Sequence, residues 1–269
     1  MPFSLTVEEH VATLELDRDD KRNAMHNPMF ESLREKLAEI EDNPEVRVAV
    51  LAGKGRGFCA GIDLMSLMGK MPVELGAAPD GAKQAKFHAF IRWLQEPLKH
   101  IERCRVPFIA AIHGPCLGLG VDLVTACDIR LATKDAVLSV RETKMAIVAD
   151  LGSLQRLPLI VGRGRARELV FTGRDVSGQE AKEIGLVDEV LEDEASLRAR
   201  AQEMAAQIAA NPPLTVQGAK RVMNEAERAE IDRGLEFVAT WNVGHLLTQD
   251  LGVAVTAFMT KQKPEFSGR

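Results

Sequence analysis

Three acids draw attention: Asp122 stands just after the glycine-bearing turn Gly118-Leu119-Gly120, and Glu142 and Asp150 stand in a loop from Arg141 to Gly152. Carboxylates that lie close together, or against apolar walls, have their proton affinities pushed apart, so one can act as a base and another as an acid. Two glycine-rich stretches accompany them. Gly53-Lys54-Gly55-Arg56-Gly57-Phe58-Cys59-Ala60-Gly61-Ile62-Asp63-Leu64 follows a short β-branched run, and His113-Gly114-Pro115-Cys116-Leu117-Gly118-Leu119-Gly120 follows the apolar run Phe108 to Ile112. A strand that feeds such a turn and then a helix leaves free N–H groups at the helix start, where negative charge is favoured. Two turns of this kind can aim two amides at one developing oxyanion. The composite chemistry is proton abstraction beside a carbonyl such as a thioester, with reprotonation elsewhere, and it needs no serine or cysteine nucleophile.

Each acid also has a simpler use. Asp122 sits where it complements a helix dipole, Glu142 has Arg141 and Lys144 as ion-pair neighbours, and Asp150 is placed to cap a helix beginning near Leu151. Gly61 and Gly120 serve equally well as positions that permit positive φ. His113, beside the second turn, reads as structural.

The elements that must hold these residues follow from periodicity. Residues 3 to 16 alternate apolar and polar (Val7, Val11, Thr13, Glu15), which predicts a half-buried hairpin. Met29, Leu33, Leu37 and Ile40 predict a helix from about Asn27 to Ile40, and Val46 to Ala52 a buried strand, giving parallel pairing across the helix. Residues 65 to 82 read as a loop, 85 to 104 as a long amphipathic helix, 137 to 140 as a strand and 187 to 191 as another. Helices are expected over roughly 153 to 161, 164 to 172 and 178 to 184. From about Ser196 the pattern is nearly all helical, with Leu235, Val238, Trp241, Leu246 and Leu251 as one apolar stripe suited to packing on the core or on a neighbouring subunit.

Composition narrows the function classes. The 269 residues suffice for one large domain or a domain with an appendage, and a net charge of -5 with no basic stripe argues against a nucleic-acid footprint. The four cysteines form no C-x-x-C pair and are expected to be buried thiols; the six histidines show no ligand spacing, so no metal is read. A dinucleotide fingerprint would need glycine where Leu123 stands. There is no G-K-[ST] phosphate loop and no G-x-S-x-G elbow. The first residues lack a signal-peptide pattern, no apolar run reaches membrane-spanning length, and the final residues are not S-K-L, so cytoplasmic residence is the expectation.

F-C-A-G-I-D-L and H-G-P-C-L-G-L-G-V-D-L resemble the two signature turns of the enoyl-CoA hydratase/isomerase (crotonase) superfamily. C-A-G-I-D-L-M, G-V-D-L-V-T-A-C-D-I-R, A-D-L-G-S-L-Q-R-L-P and V-A-T-W-N with L-T-Q-D-L are similar, more narrowly, to its Δ3,5-Δ2,4-dienoyl-CoA isomerase branch. The resemblance, which runs from D-K-R-N-A-M to the Trp241 helix, implies an α/β fold, a spiral of ββα repeats over 1–195, and a helical oligomerisation region over 196–269. It implies oxyanion amides from Ile62 and Leu119, Glu142 and Asp150 as the acid/base pair, and Asp122 as an accessory acid. Coenzyme A is expected along Arg22, Asn23 and Ala24 and along Ala60, Gly61, Ile62, Asp63 and Leu64, beside Leu119, with loop 65 to 82 walling the acyl chain. CoA is then part of the substrate and no separate cofactor is expected.

The implied reaction moves the double bonds of a 3,5-dienoyl-CoA into 2,4 conjugation, in fatty-acid β-oxidation. Hydratases of the superfamily carry acids at the positions of Asp122 and Glu142 and usually lack one at Asp150, so the third acid favours the isomerase. Hydration by Asp122 and Glu142 is the alternative, and a catalytically silent acyl-CoA-binding oligomer is a further one. RNA binding, known in the superfamily, is disfavoured by the acidic charge. The family also implies trimers, or trimers paired into hexamers. Close relatives have glycine at the position of Leu119, so a bulkier side chain is expected beside the thioester.

Overall fold

The computed structural model describes residues 2–69, 71–72 and 80–269. The chain opens with the expected hairpin, β1 (Phe3–Glu8) and β2 (Val11–Leu16), in the register Phe3↔Leu16 to Glu8↔Val11. Helix α1 (Asn27–Asp42) buries Met29, Phe30, Leu33, Leu37 and Ile40, and β3 (Val48–Gly53) pairs parallel to β2. A short helix, α2 (Leu64–Met68), and the long α3 (Gly81–Arg103) lead to β4 (Phe108–Ile112). Most of the expected loop from 65 to 82 lies outside the described residues or within α2.

From β4 onward the chain alternates between two sheets. β5 (Pro115–Leu117) leaves the first sheet, α4 (Leu119–Ala126) returns, and β6 (Ile129–Thr133) rejoins it. β7 (Val137–Ser139) lies beside β5, and a 3-10 turn (Glu142–Met145) follows. Then come α5 (Ser153–Val161), α6 (Arg163–Thr172), β8 (Val176–Ser177), α7 (Gly178–Glu183) and β9 (Glu189–Leu191). The larger sheet has the order β1-β2-β3-β4-β6-β9 and the smaller β5-β7-β8. Every pair after the opening hairpin in the larger sheet is parallel. Strands β3 and β4 are buried at every residue, as parallel strands covered on both faces must be.

Four helices complete the chain: α8 (Glu194–Ala209), α9 (Pro213–Glu225), α10 (Arg228–His245) and α11 (Gln249–Thr260). Although it falls in the stretch expected to serve assembly, α8 covers one face of the large sheet, packing Leu197, Ala201, Ala205 and Ala209 on Val48, Val50, Ile109 and Leu131. The opposite face packs on α1, α3 and α4. Helix α10 lies on α3 and α5, and α11 on the 3-10 turn. The apolar stripe of α10 differs from expectation at one place. Trp241 stands to the side of the buried row Ile231, Leu235, Val238, Ala239 and Asn242; it is 43% exposed and stacks on His245 at 4.1 Å. Among the described residues no helix is long and apolar enough to cross a membrane. All four cysteines are buried free thiols.

Candidate active site

The two glycine turns are stitched together by backbone hydrogen bonds. Cys59 N donates to Pro115 O and Leu117 N to Cys59 O, both at 2.9 Å, a parallel bridge between Cys59 and Cys116. A second bridge ties Met25 to Ile62: Met25 N donates to Gly61 O and Asp63 N to Met25 O, each at 2.8 Å. A parallel bridge uses the amides on either side of the paired residue, so Ile62 N itself is turned away and stays free. In the second turn Gly118 adopts φ 53 and ψ -116, a conformation closed to most L-residues. That bend starts α4 at Leu119, whose amide precedes the first intrahelical bond, Val121 N to Gly118 O at 2.7 Å. Among the described residues, neither the Ile62 nor the Leu119 amide has an acceptor. Two free amides on adjoining turns are the donors an oxyanion requires.

The three acids converge on this turn from three elements. Asp122, in the first turn of α4, is buried and accepts a 2.6 Å hydrogen bond from the amide of Ser153, the first residue of α5. Glu142 opens the 3-10 turn after β7. Its Oε1 lies 3.0 Å from where a Cβ on Gly118 would stand, and its Oε2 is shut from solvent with no partner among the described residues. Asp150 places Oδ2 2.8 Å from Asn242 Nδ2 of α10. As whole residues Glu142 and Asp150 are only half-buried, which leaves them a side towards solvent, whereas their carboxyl groups are enclosed.

Burial is the main reason all three acids hold protons tightly. It lifts Asp122 to about 6, against the opposing pull of the Ser153 amide and the Arg156 guanidinium. Burial, then the charges of Asp122 and Asp150, lift Glu142 to about 8. Burial and Asp122 raise Asp150 to about 7, and the Asn242 hydrogen bond works against them. Asp122, fixed by a helix N-terminus, is thus the member that ionises first.

The Enoyl-CoA hydratase/isomerase family model matches residues 6–269. The chain belongs to the enoyl-CoA hydratase/isomerase family. It is 42% identical over 252 residues to the peroxisomal Delta(3,5)-Delta(2,4)-dienoyl-CoA isomerase of Arabidopsis thaliana, covering 94% of this chain and 91% of that one. Identity to the mitochondrial protein of that name from Dictyostelium discoideum is 40%, over 95% and 87% of the two chains. An enoyl-CoA hydratase crystal structure from Bacillus anthracis superposes with a TM-score of 0.76 at 33% identity over the full length of both. An enoyl-CoA hydratase/isomerase from Pseudoalteromonas atlantica gives 0.85 at 26% identity, over 99% and 100%. The crotonase-like α/β fold expected from the sequence is therefore borne out.

Within this family fold, several simpler readings of the site residues fall away. Arg141 pairs with Asp175 at 2.7 Å, leaving Glu142 without that partner. Asp150 does not cap α5; Gly152 holds that position, and Asp122 receives the Ser153 amide. His113 is structural, buried with Nε2 2.9 Å from Gly55 O.

The expected CoA-lining residues divide into free and engaged groups. Arg22 is exposed; Ala24, Ala60, Ile62, Asp63 and Leu64 are half-buried, and Gly61 is buried against Leu117 O. Asn23 departs from expectation. It is fully buried, donates to Lys54 O and Gly57 O at 2.9 and 2.8 Å, and accepts from Arg18 N, so it shapes the first turn instead of lining a ligand. Asp63 is spent on Arg18 at 2.9 Å and on the Ser66 amide. Leu119 also departs: its side chain is buried in the main core, because Gly118 takes the positive φ and Leu119 begins a regular helix.

Three further residues support the acids. Arg156 makes a bidentate pair with Glu102 at 3.1 Å beneath the α5 N-terminus. Gln95 of α3 donates to Asp150 O at 2.8 Å and Leu235 O at 3.1 Å. Asn242, which closes the V-A-T-W-N stretch, lies i+4 from Val238 and i+7 from Leu235 on an apolar stripe, with no sign there of its partner.

Proposed function

We propose that the protein isomerises a 3,5-dienoyl-CoA to the conjugated 2,4-dienoyl-CoA in fatty-acid oxidation. The observation that carries this reading is the third enclosed carboxyl, Asp150, in one cluster with Asp122 and Glu142. The names of the relatives support it.

The thioester oxygen accepts hydrogen bonds from the Ile62 and Leu119 amides, which acidifies C2. Glu142, lying over Gly118 next to Leu119, takes the C2 proton; the C2–H electrons form C2=C3, the C3=C4 pair becomes C4=C5, and the C5=C6 pair takes a proton at C6 from Asp150. Each proton-transfer group is worth about 10²–10⁴-fold and each oxyanion donor about 10²–10³-fold. After a turnover Glu142 carries a proton and Asp150 lacks one, and the pair resets when a proton returns to Asp150. Asp122 stays charged behind them. CoA enters and leaves as part of the substrate, and no separate cofactor takes part.

The test is to supply a 3,5-dienoyl-CoA and follow the 2,4-dienoyl chromophore. No rise with folded protein would sink the reading. Hydration by Asp122 and Glu142 is the competing reaction, favoured by the names of the superposed solved structures; it survives Asp150→Asn, whereas the isomerisation does not. The reading extends to a homo-oligomer, a trimer or paired trimers, supported by the exposed Phe237, Phe258 and Met259 of α10 and α11 and checked by light scattering. It also extends to cytoplasmic residence, which cell fractionation checks.

A further inference from the structure

Asn242 is 1% exposed, and its two amide protons are both committed: Nδ2 donates to Val148 O at 2.9 Å and to Asp150 Oδ2 at 2.8 Å. The Val148 carbonyl is an acceptor only, so it fixes which end of the amide faces Asp150. The other end, Oδ1, is buried and has no partner among the described residues. Asp150 therefore meets a donor that cannot turn to become an acceptor. A fixed donor bonds a carboxylate more strongly than a carboxylic acid, whose oxygens still accept but carry less charge. Gln95 clamps the same residue from behind, joining the Asp150 carbonyl to the Leu235 carbonyl of α10.

We infer that Asn242 is a positioning residue for the proposed isomerisation, holding the Asp150 carboxyl in one orientation and favouring release of its proton to substrate. This rests on the reading of Asp150 as the proton donor. Burial and the nearby Asp122 raise the proton affinity of Asp150, and the Asn242 donor opposes them and stabilises the carboxylate left after transfer.

Other charged groups around Asp150 do not supply this function. Asp122 of α4 and Glu142 of the 3-10 turn are both negative when ionised. Arg156 of α5 is taken by Glu102. On α3 and α10, His88 and Arg92 pair with Glu236, and Arg103 pairs with Asp232. Asp250 of α11 is held by the amides of Ser267 and Gly268.

The experiment is an infrared titration of the protonated-carboxyl stretch in substrate-free protein, with Asp150→Asn identifying the Asp150 band. Asn242→Leu keeps the branched shape and removes the donor. The Asp150 midpoint is expected to move up by about one to two pH units, the worth of a hydrogen bond to a charged group. Isomerisation by the same variant is expected to lose about tenfold or more in kcat with KM little changed, and the alkaline limb of its pH profile to follow the midpoint upward. If Asn242→Leu does not fold, Asn242→Ser, too short to reach Asp150, gives the same reading. An unmoved midpoint in a folded variant overturns the inference. Because the titration uses no substrate, it decides the hold of Asn242 on Asp150 separately; absence of the conjugated product in the wild type removes the isomerase reading, and with it the role in proton delivery.

Discussion

Replacing Glu142 with glutamine is expected to stabilise the protein in alkali while disabling it. Glu142 is lifted from its ordinary 4.5 to about 8, by burial first and then by Asp122. Its folded-state proton affinity exceeds that of the unfolded chain, so its contribution to stability is fully present below about pH 4.5 and is lost as pH rises through about 8. The gap of about three and a half pH units corresponds to roughly 5 kcal/mol at most. Asp122 and Asp150 take up protons as Glu142 loses its own, so the recovered amount is nearer 3 kcal/mol. Glutamine has the same shape and no charge to desolvate. At pH 5 the variant should gain under about 1 kcal/mol, and at pH 9 about 3 kcal/mol, or roughly 10 °C in Tm for a chain of this size. Thermal melts of both proteins at the two pH values supply the test. A Tm difference that is the same at pH 5 and pH 9 refutes the claim that a buried charge at Glu142 strains the fold.

The other expectations concern the same site. Asp150→Asn should cut formation of the conjugated product by about 10²–10⁴-fold yet retain exchange of the C2 proton with deuterated solvent, because Glu142 remains; loss of exchange reverses the roles of the two acids. Gly118→Ala forces a side chain into φ 53 and sets its Cβ 3.0 Å from Glu142 Oε1, so kcat should fall about 10²-fold with little change in the circular dichroism spectrum. Arg156→Leu leaves the enclosed Glu102 without its partner, and the urea midpoint should drop by the equivalent of roughly 3 kcal/mol; an unchanged midpoint would show that the pair contributes nothing.

Much of this site follows from local pattern. The hairpin appears as a period of two, and β3 and β4 as apolar runs, because both faces of a parallel strand are covered. The two turns are legible because glycine is required at Gly61 and Gly118, where φ is positive. What has no period is the long-range pairing. Ser153 reaches back to Asp122 and Asn242 to Asp150, and a single hydrogen bond across such distances leaves no trace in spacing. The role of α8 is also hidden. Its inward row is mostly alanine, Ala201, Ala205 and Ala209, and alanine is equally at home on the outside of a helix. Trp241 misled for the opposite reason: a large aromatic beside an apolar stripe looks like part of it.

The seam between Cys59 and Cys116 sets how this site can diversify. The spacing of the two turns is held by peptide groups, with Cys59 bonded on both sides to Pro115 and Leu117. Side chains at 62 and 119 are not what holds the two amides in place. One, Leu119, even points into the interior. A lineage built on this frame is therefore free to alter volume and polarity around the two amides by exchanging side chains, with the placement of the amides inherited unchanged. Side-chain chemistry and amide placement are, in this architecture, separately heritable traits.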